Sequence, residues 1–466
     1  MSSIANGASA TATGAFSIAT GVNATATGEA SVATGDNSTA TGAGSFANGT
    51  NATATGQNSF ANGANATATG AGSIANGGNA TATGVSSVAN GDSATATGTS
   101  SNATGIFATA TGAGSVANGD RATATGSNSL ANGTLATATG QDSVANGNAA
   151  TATGQTSVAN GNNATATGAN SFAQGDSATA TGASSFANGA SATATGVGSK
   201  ANGTFATATG TSSTANGTSA TATGQGSNAT GTNATATGRN SSANGANATA
   251  TGQNSFANGA TASAYGQGSI ANGAGTTAIG QASQATAAGA TAIGQGAQAT
   301  FANSTAIGVG ATTTAANQVA LGTATNTYRL AGITSAASLA AQSGPVSLVT
   351  TDAAGHLATV SLGTMMTDLS GLQSSIGSLQ SSIGTLQTQV KQAFEGTAIA
   401  IATAGAQLPS DKTFAISANY GYFRGENAVS LGAALRLTDW AVASFAVGGG
   451  VQQHGIGGRA GLTLAW

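Results

Sequence analysis

The sequence predicts an all-β parallel solenoid of stacked fourteen-residue coils, followed by a short coiled coil and a set of membrane-type β-strands. Three observations predict this order. Glycine occupies every multiple of seven from Gly7 to Gly280, apolar residues follow a heptad from Leu362, and residues 412–466 hold four alternating stretches. The predicted domains are a head at 1–322, a neck and hairpin connector at 323–361, a stalk at 362–404 and an anchor at 405–466.

Composition excludes several classes of protein. The 466 residues include 73 Gly, 2 Pro and no Cys, only 5% are charged, and the net charge is −3. Collagen, a disulfide scaffold and a basic nucleic-acid-binding surface are therefore excluded. The sequence contains no run of about twenty apolar residues, so it predicts no membrane-spanning helix. With two histidines, His356 and His454, and widely spaced acids, we expect no enzyme activity, cofactor or metal.

Each repeat has two unequal halves, one reading Ala-Thr-Ala-Thr-Gly and the other Ser-apolar-Ala-Asn-Gly. Each seven-residue half predicts a five-residue strand and a two-residue bend, with Ala66 and Ala68 facing a narrow interior and Thr67 and Thr69 facing outward. The Asn-Gly pairs also suit separate β-hairpins. The uninterrupted glycine register favours stacked parallel coils, about 23 of them, forming a rod of roughly 110 Å.

An apolar residue recurs every fourteen positions on the outside of the second half. The exposed apolar area of such a stripe is larger than a monomeric protein tolerates, so we expect an interface between chains. The stripe is interrupted at Asn102 and becomes polar at Lys200, Thr214, Asn228 and Ser242, where looser packing is expected. The interface candidates in the head are Ile18, Val32, Phe46, Phe60, Ile74 and Val88.

The heptad from Leu362 predicts a coiled-coil seam. Its first core position holds mainly Ile or Leu and its second mainly Leu, a combination that leans toward dimers in isolated peptides. The interface candidates in this seam are Leu369, Leu372, Ile376, Leu379, Ile383 and Leu386.

The four C-terminal stretches have the length and one-sided apolar pattern of transmembrane strands. Four strands cannot close a barrel, so chains must pool them; two copies give eight strands and three give twelve. A small water-soluble β-domain with one buried face is the alternative. The candidates for the membrane-facing surface are Phe414, Ile416, Tyr420, Tyr422, Val429, Leu431, Leu435, Leu462, Leu464 and Trp466.

The late repeats, such as Thr277-Ala-Ile-Gly280 and Val319-Ala-Leu-Gly322, resemble the head repeat of YadA-like trimeric autotransporter adhesins. Residues 317–333 resemble the family's neck, and the four strands ending in Trp466 resemble its anchor. The resemblance implies a left-handed roll, a homotrimer and a twelve-stranded barrel threaded by the coiled coil. It also implies outer-membrane lipid and insertion machinery as partners, with head and stalk at the cell surface.

Three functions remain open at this point. The first is a surface adhesin that exports itself and binds matrix, host cells or other bacteria through many weak copies acting together. The second is ice binding by an exposed ladder of threonines, such as Thr53 and Thr55. The third is a passive spacer for a missing binding domain, since the chain starts inside a repeat without a signal sequence. We expect the chain to be a mature fragment or an incomplete sequence.

Overall fold

A computed structural model describes residues 2–466 and divides the chain into two compact units, of which the first ends at Thr327 and the second is Tyr328–Trp466. The first unit is a parallel β-solenoid of about 23 turns. Its two-residue strands begin with Ile4–Ala5 and recur every fourteen residues to Gln298–Ala299. Its three-residue strands begin with Thr11–Thr13, recur at the same interval to Thr305–Ile307 and end with Val319–Leu321.

Each strand pairs in parallel with the equivalent strands of the preceding and following coils. Thr67 lies opposite Thr81 and Ala68 opposite Ala82, so the register step equals the fourteen-residue repeat. The strands therefore form two parallel sheets, which we call the threonine sheet and the apolar-strand sheet. The predicted solenoid is confirmed, and hairpins between adjacent halves are excluded because the pairing is parallel.

The predicted strand length is wrong, because each bend takes four residues rather than two. In one bend Ser59 N donates to Gly56 O at 3.3 Å, and Asn58 has a φ of 54°. In the other, Ala66 N donates to Gly63 O at 3.1 Å, and Asn65 has a φ of 57°. Both are turns with a left-handed third residue, a position that favours Asn and Gly. They leave only two or three residues of each half for strand pairing.

The solenoid interior consists of small side chains. Ala66 and Ala68 of one half and Ser59 and Ala61 of the other all have 0% exposure. The Ser59 hydroxyl donates to Gly56 O at 3.0 Å, which satisfies a buried polar group without another side chain. An interior this narrow leaves no room for the Val, Ile and Phe of the stripe, which lie on the outward face.

The second unit begins with a short helix, Ala336–Ala341, and an antiparallel pair of strands, Ser347–Thr351 and Leu357–Ser361. The long helix Leu362–Ala402 follows directly. Ser361 caps it, since its hydroxyl accepts a hydrogen bond from Thr364 N at 3.0 Å. None of the helices in the described chain has the length and hydropathy needed to cross a membrane.

The C-terminal sheet, which we call the anchor sheet, contains the four predicted strands in consecutive antiparallel order. Their bounds are Phe414–Phe423, Glu426–Thr438, Ala441–Gly450 and Ile456–Leu464. His454 lies in the loop between the last two strands. The end of the long helix packs against one face of this sheet, where Ala398, Ile399 and Ala402 are buried.

Candidate functional site

The outward stripe of the solenoid forms a continuous ladder of apolar side chains. Ile18, Val32, Phe46, Phe60, Ile74 and Val88 are each half-buried and pair in register along the apolar-strand sheet. The rings of Phe46 and Phe60 stack with centroids 5.0 Å apart and planes 2° apart. Stacking within one chain covers the faces of these two rings, so their outward edges stay available for contact between copies.

The polar residues of the stripe differ from one another in burial and hydrogen bonding. The side-chain oxygens of Asn102 and Asn228 are buried without a hydrogen-bond partner in residues 2–466. Lys200 is exposed, whereas Ser242 is buried and donates to the Asn244 side chain at 3.1 Å. Contacts between copies along this stripe remain a prediction.

The outer surface also carries polar ladders. The first threonine of each strand in the threonine sheet is mostly half-buried and the second mostly exposed, as at Thr67 and Thr69. Beside the strands, Asn48 donates to Asn62 at 2.9 Å, and Asn62 donates to Asn76 at 2.7 Å. In the sequence, these Asn-Gly pairs indicate only turns. Their fourteen-residue recurrence, together with parallel stacking, was the signal for side-chain ladders.

The heptad residues of the long helix are exposed in the single chain. Exposure ranges from 49% for Ile383 to 64% for Leu369. The other four candidates, Leu372, Ile376, Leu379 and Leu386, lie within that range. No other described part of this unit covers these residues, and their assignment as an interface between helices remains a prediction.

The anchor sheet has one apolar, exposed face and one face of small residues. All ten predicted membrane-facing residues are exposed: Phe414, Ile416, Tyr420, Tyr422, Val429, Leu431, Leu435, Leu462, Leu464 and Trp466. Within the described residues the first strand pairs only with the second, and the fourth only with the third, so both sheet edges are open. Contact of this face with lipid remains a prediction.

Glycines on the other face let the helix approach the strands. A Cβ at Gly421 would lie 2.8 Å from Ala402 N, one at Gly448 3.0 Å from Thr403 Cγ2, and one at Gly457 2.8 Å from Ile399 Cγ2. Real Cβ atoms rarely tolerate such distances. The alternation of these glycines with the apolar residues is visible in the sequence, but the close approach of the helix to them was not predicted.

Two family profiles match this chain, one in each unit. The profile of the YadA head domain repeat matches a series of segments between residues 2 and 297, and that of the YadA-like membrane anchor domain matches residues 406–466. The chain belongs to the YadA-like trimeric autotransporter adhesins. The long helix and the four-stranded sheet are consistent with the YadA anchor. No curated protein sequence matches the chain.

Among solved structures, the chain is similar to the collagen-binding domain of the Yersinia adhesin YadA. The identity is 21%, over 46% of this chain and 86% of that domain, with a TM-score of 0.19.

Within residues 2–466 no group of three or more His, Asp or Glu side chains could hold a metal ion. The features described above are contact surfaces: apolar stripes, polar ladders and an anchor face.

Proposed function

We propose that this YadA-like adhesin is a homotrimer, anchored in the outer membrane by pooled anchor strands, that presents its solenoid as a multivalent binding surface. The structure of the anchor sheet supports this proposal most directly. It combines two open edges and a face of large apolar side chains with a second face already covered by a helix.

Open edges in hydrocarbon would leave backbone groups unpaired, at a cost of several kcal/mol each. Three copies would supply twelve strands and close the sheet. A twelve-stranded barrel also has room for three helices, and the helix on each glycine face lies where a lumen would be. The seam residues would then cover one another above the barrel. The same barrel would carry the chain outward, which accounts for export without a separate pore.

The binding partner is proposed as an extracellular-matrix or cell-surface ligand contacted weakly by each coil. Because a trimer displays every coil three times, weak contacts would add up through effective concentration. No catalytic role is proposed for any residue.

The test compares bacteria that display the full chain with bacteria that carry a chain lacking residues 406–466. We expect attachment to matrix-coated surfaces to disappear and the head to be lost from the outer-membrane fraction. A variant lacking coils between residues 60 and 143, with the anchor retained, is the control and should remain in that fraction with reduced attachment. Full attachment after loss of the anchor would contradict the proposal.

Ice binding is a second candidate, favoured by the in-register threonine ladder. Thr67 and Thr69 lie opposite Thr81 and Thr83, and the pattern continues along the threonine sheet. Thermal hysteresis of the purified chain is the discriminating measurement. A Thr69→Lys, Thr83→Lys double variant should reduce any hysteresis and leave attachment unchanged if ice is the ligand.

A further inference from the structure

Glu395 is a charged side chain buried where the long helix meets the anchor sheet. It is 1% exposed, and its neighbours on the buried face of the helix are Ala398, Ile399 and Ala402. Burial of a carboxylate without hydrogen-bond partners costs free energy, so the role of Glu395 depends on the groups that bind it.

Those partners are backbone N–H groups of one loop, residues 451–455, between the third and fourth anchor strands. Glu395 Oε1 accepts hydrogen bonds from Gln452 N at 3.0 Å and Gln453 N at 2.7 Å, and Oε2 accepts one from Gly455 N at 2.9 Å. Both carboxylate oxygens are therefore used, and all three donors come from this loop rather than from the helix.

The same loop is tied to the turn between the first two strands. The Gln452 side chain accepts from Asn427 N at 2.8 Å and donates to Gly425 O at 3.2 Å. Glu395 thus connects the helix to both hairpin turns at one end of the anchor sheet.

Gly450 provides the space for this carboxylate. A Cβ at Gly450 would overlap the Glu395 carboxyl group, and the three nearest atoms all belong to Glu395. The φ of Gly450 is outside the left-handed region. Glycine is therefore needed there for space alone.

The other contacts between helix and sheet include the packing of Ile399 on Gly457 and a hydrogen bond from the Ser430 hydroxyl to Ala402 O at 2.7 Å. Ala398 and Ala402 are one turn apart and equal in size, and they face glycines of the strands. Sliding the helix by one turn would exchange the two alanines and offer Ser430 another backbone carbonyl, but it would separate the carboxylate from its three donors, which bind at one position only.

We propose that Glu395 fixes the position of the long helix along the anchor sheet. This contact between Glu395 and the loop 451–455, which we call the latch, resists pulling on the head. The latch rests on the proposed anchoring role for its use in the cell, but its geometry is independent of adhesion and of the number of copies.

A disulfide reporter tests the helix position directly, since the full chain contains no cysteine. Ile399 and Gly457 are suitable sites, because a Cβ at Gly457 would lie 3.9 Å from Ile399 Cβ, within the range for a disulfide. The Ile399→Cys change also removes the Cγ2 atom that would crowd the new side chain. Crosslinking is followed by peptide mapping of the detergent-solubilised full chain.

In this reporter chain, Glu395→Gln keeps the volume but places an amide N–H₂ against backbone donors. We expect disulfide formation to slow by about tenfold or more, since a lost hydrogen bond to a charged group is worth at least that factor. Asp368→Asn, an exposed acid on the same helix, is the matched control and should leave the rate unchanged.

A second pair of variants separates the latch from general packing. Gly450→Ala should slow crosslinking as Glu395→Gln does. In a Glu395→Ala background, where the overlapping atoms are gone, Gly450→Ala should cause no further loss.

Three results would overturn the proposal: no crosslink in the reporter chain, an unchanged rate in Glu395→Gln, or a Gly450→Ala defect that persists without the Glu395 side chain. Failure of attachment or of trimer formation would contradict the proposed function and leave these rates unaffected.

Discussion

The solenoid and the anchor sheet are both made of β-strands, but they differ in what one chain can complete. In the solenoid, each internal strand finds both neighbours in its own chain, and the interior is filled by Ala and Ser at 0% exposure. The anchor sheet has two open edges within the described residues and an exposed apolar face. Repetition therefore satisfies the backbone along one chain, whereas the four anchor strands leave both edges of their sheet unpaired.

Glycine has a different purpose in each region. A Cβ at Gly126, whose φ is 130°, would lie 2.6 Å from Gly140 O of the next coil. In the anchor, Gly457 is needed because Ile399 of the helix packs on it. The first arrangement lets coils stack, and the second lets a helix approach a sheet.

The largest effect is expected from Leu379→Asp in the helix seam. In a trimer it would bury three carboxylates in an apolar core, at a cost of about 3–5 kcal/mol per chain. The midpoint of thermal dissociation in detergent should fall steeply. Gln380→Asp, outside the seam, is the control and should change stability by less than about 0.5 kcal/mol. Equal effects of the two changes would contradict the seam.

Arginine substitutions along one face of the second anchor strand test its contact with lipid. Leu431→Arg, in the middle of the strand, should cost about 2–4 kcal/mol per chain, and Leu437→Arg, near its end, about 0–1 kcal/mol. The yield of folded protein in the outer-membrane fraction gives the comparison. A water-soluble sheet would tolerate both changes equally, because both leucines are exposed in the single chain.

The sequence predicts most of the fold because the repeat is local. Gly56 and Gly70 are fourteen residues apart and stack on each other, so their periodicity reports the coil directly. The length of the bends was mispredicted, since the left-handed third residue varies among Asn, Ser, Gly and even Phe107. Glu395 gives no local signal, because its partners are 57 to 60 residues away.

Two glycines of the solenoid separate backbone strain from stacking. Gly126→Ala should cost about 2–3 kcal/mol, since Cβ would overlap the next coil and φ is unfavourable. Gly268→Ala shares only the unfavourable φ, at 65°, because nothing lies within 4 Å of its Cβ, and should cost about 1 kcal/mol. Urea unfolding of the full chain, followed by circular dichroism, provides the measurement. Similar costs would show that the coils are not in close contact.

The smallest effect concerns Asp352 in the turn of the hairpin connector. The hydrogen bond from the His356 ring, at 2.8 Å, is the main cause that lowers the pKa of Asp352 below its ordinary value. The ionised carboxylate therefore supports the turn above the ordinary pKa, and this support is lost as pH falls through the lowered pKa. His356→Ala should raise the pKa of Asp352, as followed by NMR titration of its carboxyl carbon. An unchanged midpoint would contradict the contact.

We propose that one chain leaves surfaces that only copies of itself can cover. Native mass measurement of the full-length, detergent-solubilised protein tests it most directly. The account predicts a particle of three chains, resistant to dilution and dissociated by Leu379→Asp. A stable, well-folded single chain of 43.1 kDa would contradict it.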